Sequence, residues 1–133
     1  MNYTVSAKLI QKYKKYSVAQ LKTKAQTAFN KWIRERDKGL PCINCGKFRP
    51  LQAGHLFPTS TYPHLRFSEW NTNGECLQCN YFNSQSHAYG YRVNLIKKIG
   101  IENFEALEMF SKLRGKGKLS RFDYIDVILK YKC

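Results

Sequence analysis

Two Cys-x-x-Cys pairs, Cys42-Ile43-Asn44-Cys45 and Cys76-Leu77-Gln78-Cys79, stand thirty residues apart near the middle of the chain. No other feature restricts the fold as strongly. Each pair can form a tight knuckle with both thiolates aimed at one ion, and four thiolates suit a tetrahedral Zn²⁺. Gly46, directly after the first pair, allows the sharp turn such a knuckle needs. Two other readings of the cysteines stand beside this one. A disulfide framework belongs to oxidising compartments, and a thioredoxin-like redox motif needs one pair, not two. Structural zinc on Cys42, Cys45, Cys76 and Cys79 is therefore the expectation, with the ion closing a long loop that a small core could not hold. Cys133 has no partner at ligand spacing and reads as a free thiol.

The remaining composition bounds the function classes. A chain of 133 residues fits one domain of ordinary size. With 43% hydrophobic and 14% aromatic residues it has material for a core, which excludes wholesale disorder. No stretch approaches the roughly 18–20 apolar residues of a membrane span. The first residues lack a secretory apolar region, so the expectation is a cytoplasmic protein. The 23 Lys and Arg against 9 Asp and Glu leave a net charge of +14. Such a surplus concentrates polyanions, of which nucleic acid is the usual one; membrane surfaces and acidic proteins are weaker alternatives, and a solvated basic face that aids solubility is the plainest. The excess lies in residues 1–40 and 81–133, flanking a nearly neutral centre that holds four of the five cysteines.

Residues 1–16 are lysine- and tyrosine-rich without clear periodicity and read as a flexible basic arm ahead of a single domain over 17–133. Ser17 with Gln20 forms a capping-box signal. After it Val18, Leu21, Ala25, Ala28, Phe29, Trp32 and Ile33 mark one helical face, which Gly39 and Pro41 end. Lys47 to Phe57 looks extended, with a short hairpin leading out of the first knuckle. Pro58 to Pro63 is a loop. A helix should begin a little after Cys79, clearest over Ala88 to Ile99, with Gly100 as its C′ residue. Ile101 to Leu113 is another helix. Arg114 to Lys118 is a flexible basic turn, and Ser120 with Asp123 opens a last helix. There is no internal repeat and no linker long enough to split the chain.

Between and beside the knuckles stand His55, at the end of the expected strand, Asn71, five residues before Cys76, and Asn80, directly after Cys79. This order resembles the HNH, or ββα-metal, nuclease motif in its four-cysteine zinc version. There a strand presents a histidine, a loop asparagine holds that strand, and the helix after the second knuckle supplies a metal ligand. Phosphodiester hydrolysis needs a base to activate water, which a near-neutral histidine suits. It also needs a divalent cation to offset charge on the phosphate and the leaving oxygen. Mg²⁺ takes oxygen ligands and few protein groups, so an asparagine oxygen plus substrate phosphate is reasonable chemistry. Ala53-Gly54-His55, Pro63-His64-Leu65-Arg66-Phe67, Asn71, Gln78-Cys79-Asn80, Tyr91-Arg92 and Leu95 to Gly100 narrow the likeness. Together with Trp32-Ile33-Arg34, Arg36-Asp37 and Pro41-Cys42 upstream, they make residues 20–108 similar to the phage NinG family.

What the resemblance implies is an α+β fold, a small zinc-braced ββα-metal (HNH-like) core with flanking α-helices. The implied function is a metal-dependent endonuclease for branched recombination DNA such as D-loops and Holliday junctions, in phage or prophage recombination within the host cytoplasm. His55 would be the general base, Asn71 the orienting group and Asn80 a ligand of Mg²⁺ or Mn²⁺, with His87 and His64 as further ligand candidates. Arg66, Lys31, Arg34 and Arg92 would contact DNA, guanidinium forks suiting phosphate. Two departures stand out. Many HNH proteins carry Asp before the histidine where this chain has Gly54, and many end the motif with His where it has Asn80. Each residue also has a plain reading: His55, His64 and Arg66 as packing, Asn71 as a loop bridge, Asn80 as a helix cap. Tyr81, Tyr89 and Tyr91 are either base-stacking groups or ordinary core and rim aromatics. The rival function is a non-catalytic zinc-containing module that binds DNA junctions. A third is a zinc scaffold for protein contacts, its charge aimed at RNA or an acidic partner. Other phage recombination proteins are the implied partners. A homodimer would suit symmetric cutting of a four-way junction, although no segment shows an evident seam.

Overall fold

The computed structural model describes residues 7–81, 88–113 and 119–132. His87, the basic turn at 114–118, Cys133 and the first six residues of the expected arm lie outside them. The described elements are α1 (Ala7–Tyr13), α2 (Val18–Arg36), β1 (Leu51–His55), a 3₁₀ turn (Pro63–Leu65), β2 (Thr72–Cys76), α3 (Leu77–Tyr81), α4 (Ala88–Ile99), α5 (Ile101–Lys112) and α6 (Arg121–Tyr131). Helices with a small two-stranded antiparallel sheet make this an α+β chain. No helix among the described residues is long and apolar enough to cross a membrane.

Two compact units divide the chain, Met1–Trp32 with Lys116–Cys133, and Ile33–Gly115. In the first, Leu21, Ala25 and Phe29 form the buried stripe of α2, and Tyr124, Ile125, Ile128 and Tyr131 that of α6. Tyr131 meets Phe29 and Trp32 edge-on, with ring centroids 4.9 and 5.2 Å away. Both helix starts are capped as their sequences predict. Ser17 and Gln20 exchange side-chain and backbone bonds at α2, and Ser120 and Asp123 do so at α6. Residues 7–13, expected in the arm, form α1. Tyr13 is buried, and Arg121 donates to the carbonyls of Tyr13 and Tyr16, which ties the end of this segment down.

The second unit carries the knuckles. Its apolar core joins Ile43, Leu56, Phe57, Leu65, Tyr91, Leu95, Phe104 and Leu107, with Trp70 packed at the edge. Gly100 adopts φ +88°, its N–H closing on Ile96, and so ends α4 and starts α5 within one residue. The expected hairpin at 47–57 does not form. β1 pairs instead with β2, Leu51 opposite Cys76 through His55 opposite Thr72. The reason is local. The Lys47 carbonyl is spent on Cys42 N–H, closing the knuckle, and Pro50 has no N–H to offer a neighbouring strand. α3 begins at Leu77, earlier than expected, because the second knuckle is itself the first turn of that helix.

Candidate metal centre and histidine site

The four knuckle cysteines converge from two directions. Gly46 takes φ +74° and donates to the Cys42 carbonyl, curling the first pair. The second pair sits at the junction of β2 and α3. All four Sγ atoms lie within 4.8 Å of one another. Cys45 Sγ and Cys76 Sγ are 3.9 Å apart, close to the about 3.8 Å edge of a tetrahedron with Zn–S bonds near 2.3 Å. The Cys76 N–H donates to Cys42 Sγ at 3.3 Å, a bond that favours thiolate. Burial pushes the Cys42 and Cys79 thiols up. It also raises Cys76, but hydrogen bonds from Cys79 and the other thiols outweigh it and bring Cys76 down to about 7. The donor set and its spacing are consistent with zinc.

His55 closes β1, half-buried, and its Nε2 lies 2.9 Å from the Arg66 carbonyl. A carbonyl only accepts, so Nε2 carries the proton and Nδ1 is the basic nitrogen of the neutral ring. Burial holds the imidazole below its ordinary value. The carbonyl bond opposes that and the Arg66 charge adds to it. Asn71 is fully buried and clamps the loop between the strands. Its Oδ1 accepts from Phe57 N–H at 2.8 Å, and its Nδ2 donates to the carbonyls of Phe57 and Leu65 at 3.0 and 3.2 Å. Because the same loop carries Arg66, Asn71 fixes the carbonyl that orients His55.

Asn80 lies inside α3, not at its cap, and donates from Nδ2 to Gln52 Oε1 at 2.9 Å. His64 is bonded through Nε2 to the Phe110 carbonyl of α5, and no hydrogen bond among the described residues links it to Asn80. Arg66 is half-buried at the end of the 3₁₀ turn. Lys31 and Arg34 are exposed on α2. Arg92 lies over the Phe57 ring and 3.5 Å from Glu108. Tyr81 and Tyr89 are exposed, whereas Tyr91 is buried and donates to the Gly54 carbonyl at 2.7 Å.

Sequence reasoning missed β2 and two polar groups built on it. Thr72-Asn73-Gly74-Glu75-Cys76 is poor in strand-forming residues, yet all five are buried. Asp37, at the end of α2, accepts from Arg36 at 2.8 and 2.9 Å, from Lys98 Nζ at 2.8 Å and from Gly74 N–H at 2.7 Å. Burial alone would raise its carboxyl, but these donors outweigh it and hold the group at about 2. Arg36 also reaches the Thr72 carbonyl, and Lys98 reaches Asn73. An arginine–aspartate–lysine cluster around the buried Asp37 carboxylate thus pins β2. Glu75 is the second group. It is fully buried, and burial pushes its carboxyl up to about 7 against one hydrogen bond from Asn44. One signal could have flagged it: only Glu69 and Glu75 are acidic between residues 41 and 80.

The family model described as Bacteriophage Lambda NinG protein matches residues 4–133. Among curated relatives, Protein ninG of Escherichia phage lambda is 43% identical over 103 residues, covering 76% of this chain and 48% of its own length. Protein ninG of Escherichia phage 933W is also 43% identical over 103 residues, covering 76% and 49%. The chain therefore spans about half the length of the curated relatives it matches. No solved structure matches.

Proposed function

This chain belongs to the phage NinG family, and from that premise we propose that it is a metal-dependent, HNH-like endonuclease for branched recombination DNA such as D-loops and Holliday junctions. The observation that carries the reading is the His55 ring, held by the Arg66 carbonyl with Nδ1 as its basic nitrogen at the end of a strand–strand–helix unit braced by four cysteines. A neutral, oriented imidazole is what activation of water requires, and burial keeps it neutral at physiological pH.

Each residue then has a task. His55 Nδ1 takes the proton of the attacking water. Asn71 positions His55 through the loop it clamps. Asn80, in the helix whose first turn is the second knuckle, offers an amide oxygen to Mg²⁺ or Mn²⁺. When bound, that cation offsets charge on the phosphate and the leaving oxygen. Arg66 is placed beside His55 by the same carbonyl contact and suits a phosphate. Lys31, Arg34 and Arg92 supply further contacts to the DNA arms. The zinc is structural, all four positions being taken by cysteine.

The test is cleavage of labelled four-way, D-loop and linear DNA by the zinc-loaded chain with Mg²⁺ or Mn²⁺. Cutting of branched DNA that needs the divalent ion, leaving 5′-phosphate and 3′-hydroxyl ends, supports the reading. Tight binding without cutting under either ion would replace it with the junction-binding module. That second reading draws on Gly54, which leaves the residue before His55 without a ligand side chain.

A further inference from the structure

The space beside Gly54 is not empty. Gln52 and Glu75 are directly paired across the two strands, so their side chains leave the sheet on one face, and Gly54, two residues from Gln52, shares it. A Cβ on Gly54 would overlap Glu75 Oε1 and lie 2.8 Å from Glu75 Cβ. A side chain at position 54 and the Glu75 carboxylate thus compete for one volume, and in this chain the carboxylate has it. Asn80 comes to the same face from α3, its Nδ2 on Gln52.

Glu75 is fully buried, and its Oε2 accepts from Asn44 Nδ2 at 3.3 Å. Its Oε1 is the one buried side-chain oxygen or nitrogen without a hydrogen-bond partner among the described residues. A buried carboxylate oxygen without a donor is costly to keep, and a cation removes the cost. The Glu75 carboxylate and the amide oxygen of Asn80, which reaches this face through Gln52, are oxygen donors of the kind hard divalent ions take.

We propose that Glu75, entering from β2, supplies the carboxylate ligand that Gly54 cannot, and with Asn80 holds a Mg²⁺- or Mn²⁺-class cation on the sheet face that Gln52 and Gly54 share. The use of that ion in DNA cutting rests on the nuclease reading; its binding does not. The ligand then enters from the strand paired with the one that carries the histidine, and glycine at position 54 is what makes room for it.

The experiment is Mn²⁺ titration of the zinc-loaded full chain, with free Mn²⁺ read by electron paramagnetic resonance. The wild type should bind one Mn²⁺ beyond the zinc. Glu75→Gln, nearly isosteric, should weaken that binding about tenfold or more while zinc content stays unchanged, since changes even outside the ligand shell cost 10–100-fold. Moving the carboxylate back, in the double variant Gly54→Asp with Glu75→Ala, should restore it. In the wild-type protein Mn²⁺ should broaden the amide signals of Gly54 and Glu75 first, a readout that needs no variant. Unchanged affinity in Glu75→Gln, or broadening centred elsewhere, overturns the assignment. Cutting that persists with Mn²⁺ affinity untouched by Glu75→Gln refutes Glu75 alone. Mn²⁺ bound through Glu75 without any cutting refutes the nuclease reading and leaves the site.

Discussion

Replacing Asp37 with asparagine should unlock β2 from the end of α2. The carboxylate is 2% exposed, while its partners Arg36 and Lys98 are 26% and 28% exposed, so both cations can rehydrate once the charge is gone. That places the loss at the low end of the range for breaking a buried ion pair. A carboxyl held at about 2 instead of its ordinary 3.8 contributes about 2 kcal/mol at neutral pH. The amide keeps an acceptor for Gly74 N–H but turns an NH₂ toward a cation, a mispaired donor costing about 1 kcal/mol more. The expected destabilisation is about 3 kcal/mol, a large share of what a unit of this size possesses. Urea unfolding at pH 7 and fixed free zinc, wild type against Asp37→Asn, measures it. A loss below about 1 kcal/mol would show that the cluster does not hold the strand and would refute the argument.

Other consequences can be checked separately. The Asp37 carboxyl carbon should stay that of a carboxylate as pH falls through 4, because a lowered folded-state value keeps its contribution intact above about 4 and loses it only toward about 2; a midpoint near 4 in folded protein contradicts this. Metal analysis should find one zinc per chain, and Cys45→Ser should lose it together with order in the Ile33–Gly115 unit, whereas full zinc in that variant would break the four-thiolate account. Asn71→Ala strands a buried N–H and two carbonyls, so it should cost about 2–3 kcal/mol and lower the cutting rate at conditions where the chain is still folded; a stable variant with full rate would remove its positioning role. The acid limb of the cutting rate should fall below pH 6.5, since burial lowers the His55 value and the base works unprotonated, and a limb above that would point to another base.

The elements most legible in the sequence are those set by local chemistry. The capping pairs Ser17–Gln20 and Ser120–Asp123 and the glycine at position 100 each act over a few residues, as does each Cys-x-x-Cys knuckle, and the two knuckles converge as their donor set predicts. β2 was not legible because its residues disfavour strands and are held by partners far away in sequence, Asp37 and Lys98 among them. The same distance hid Glu75, whose meaning depends on the absent side chain of Gly54 across the sheet. Of the expected site, His55 and Asn71 meet through the loop at 56–71, and Asn80 reaches Gln52. His64 is tied to α5, a contact no spacing rule foresees.

The central claim is that His55 activates water for divalent-dependent cutting of branched DNA. Single-turnover cleavage of a labelled four-way junction by His55→Ala, with zinc content and junction binding measured on the same sample, tests it most directly. The account predicts zinc and binding unchanged and cutting reduced by at least about a hundredfold. Cutting at the wild-type rate by that variant would contradict it.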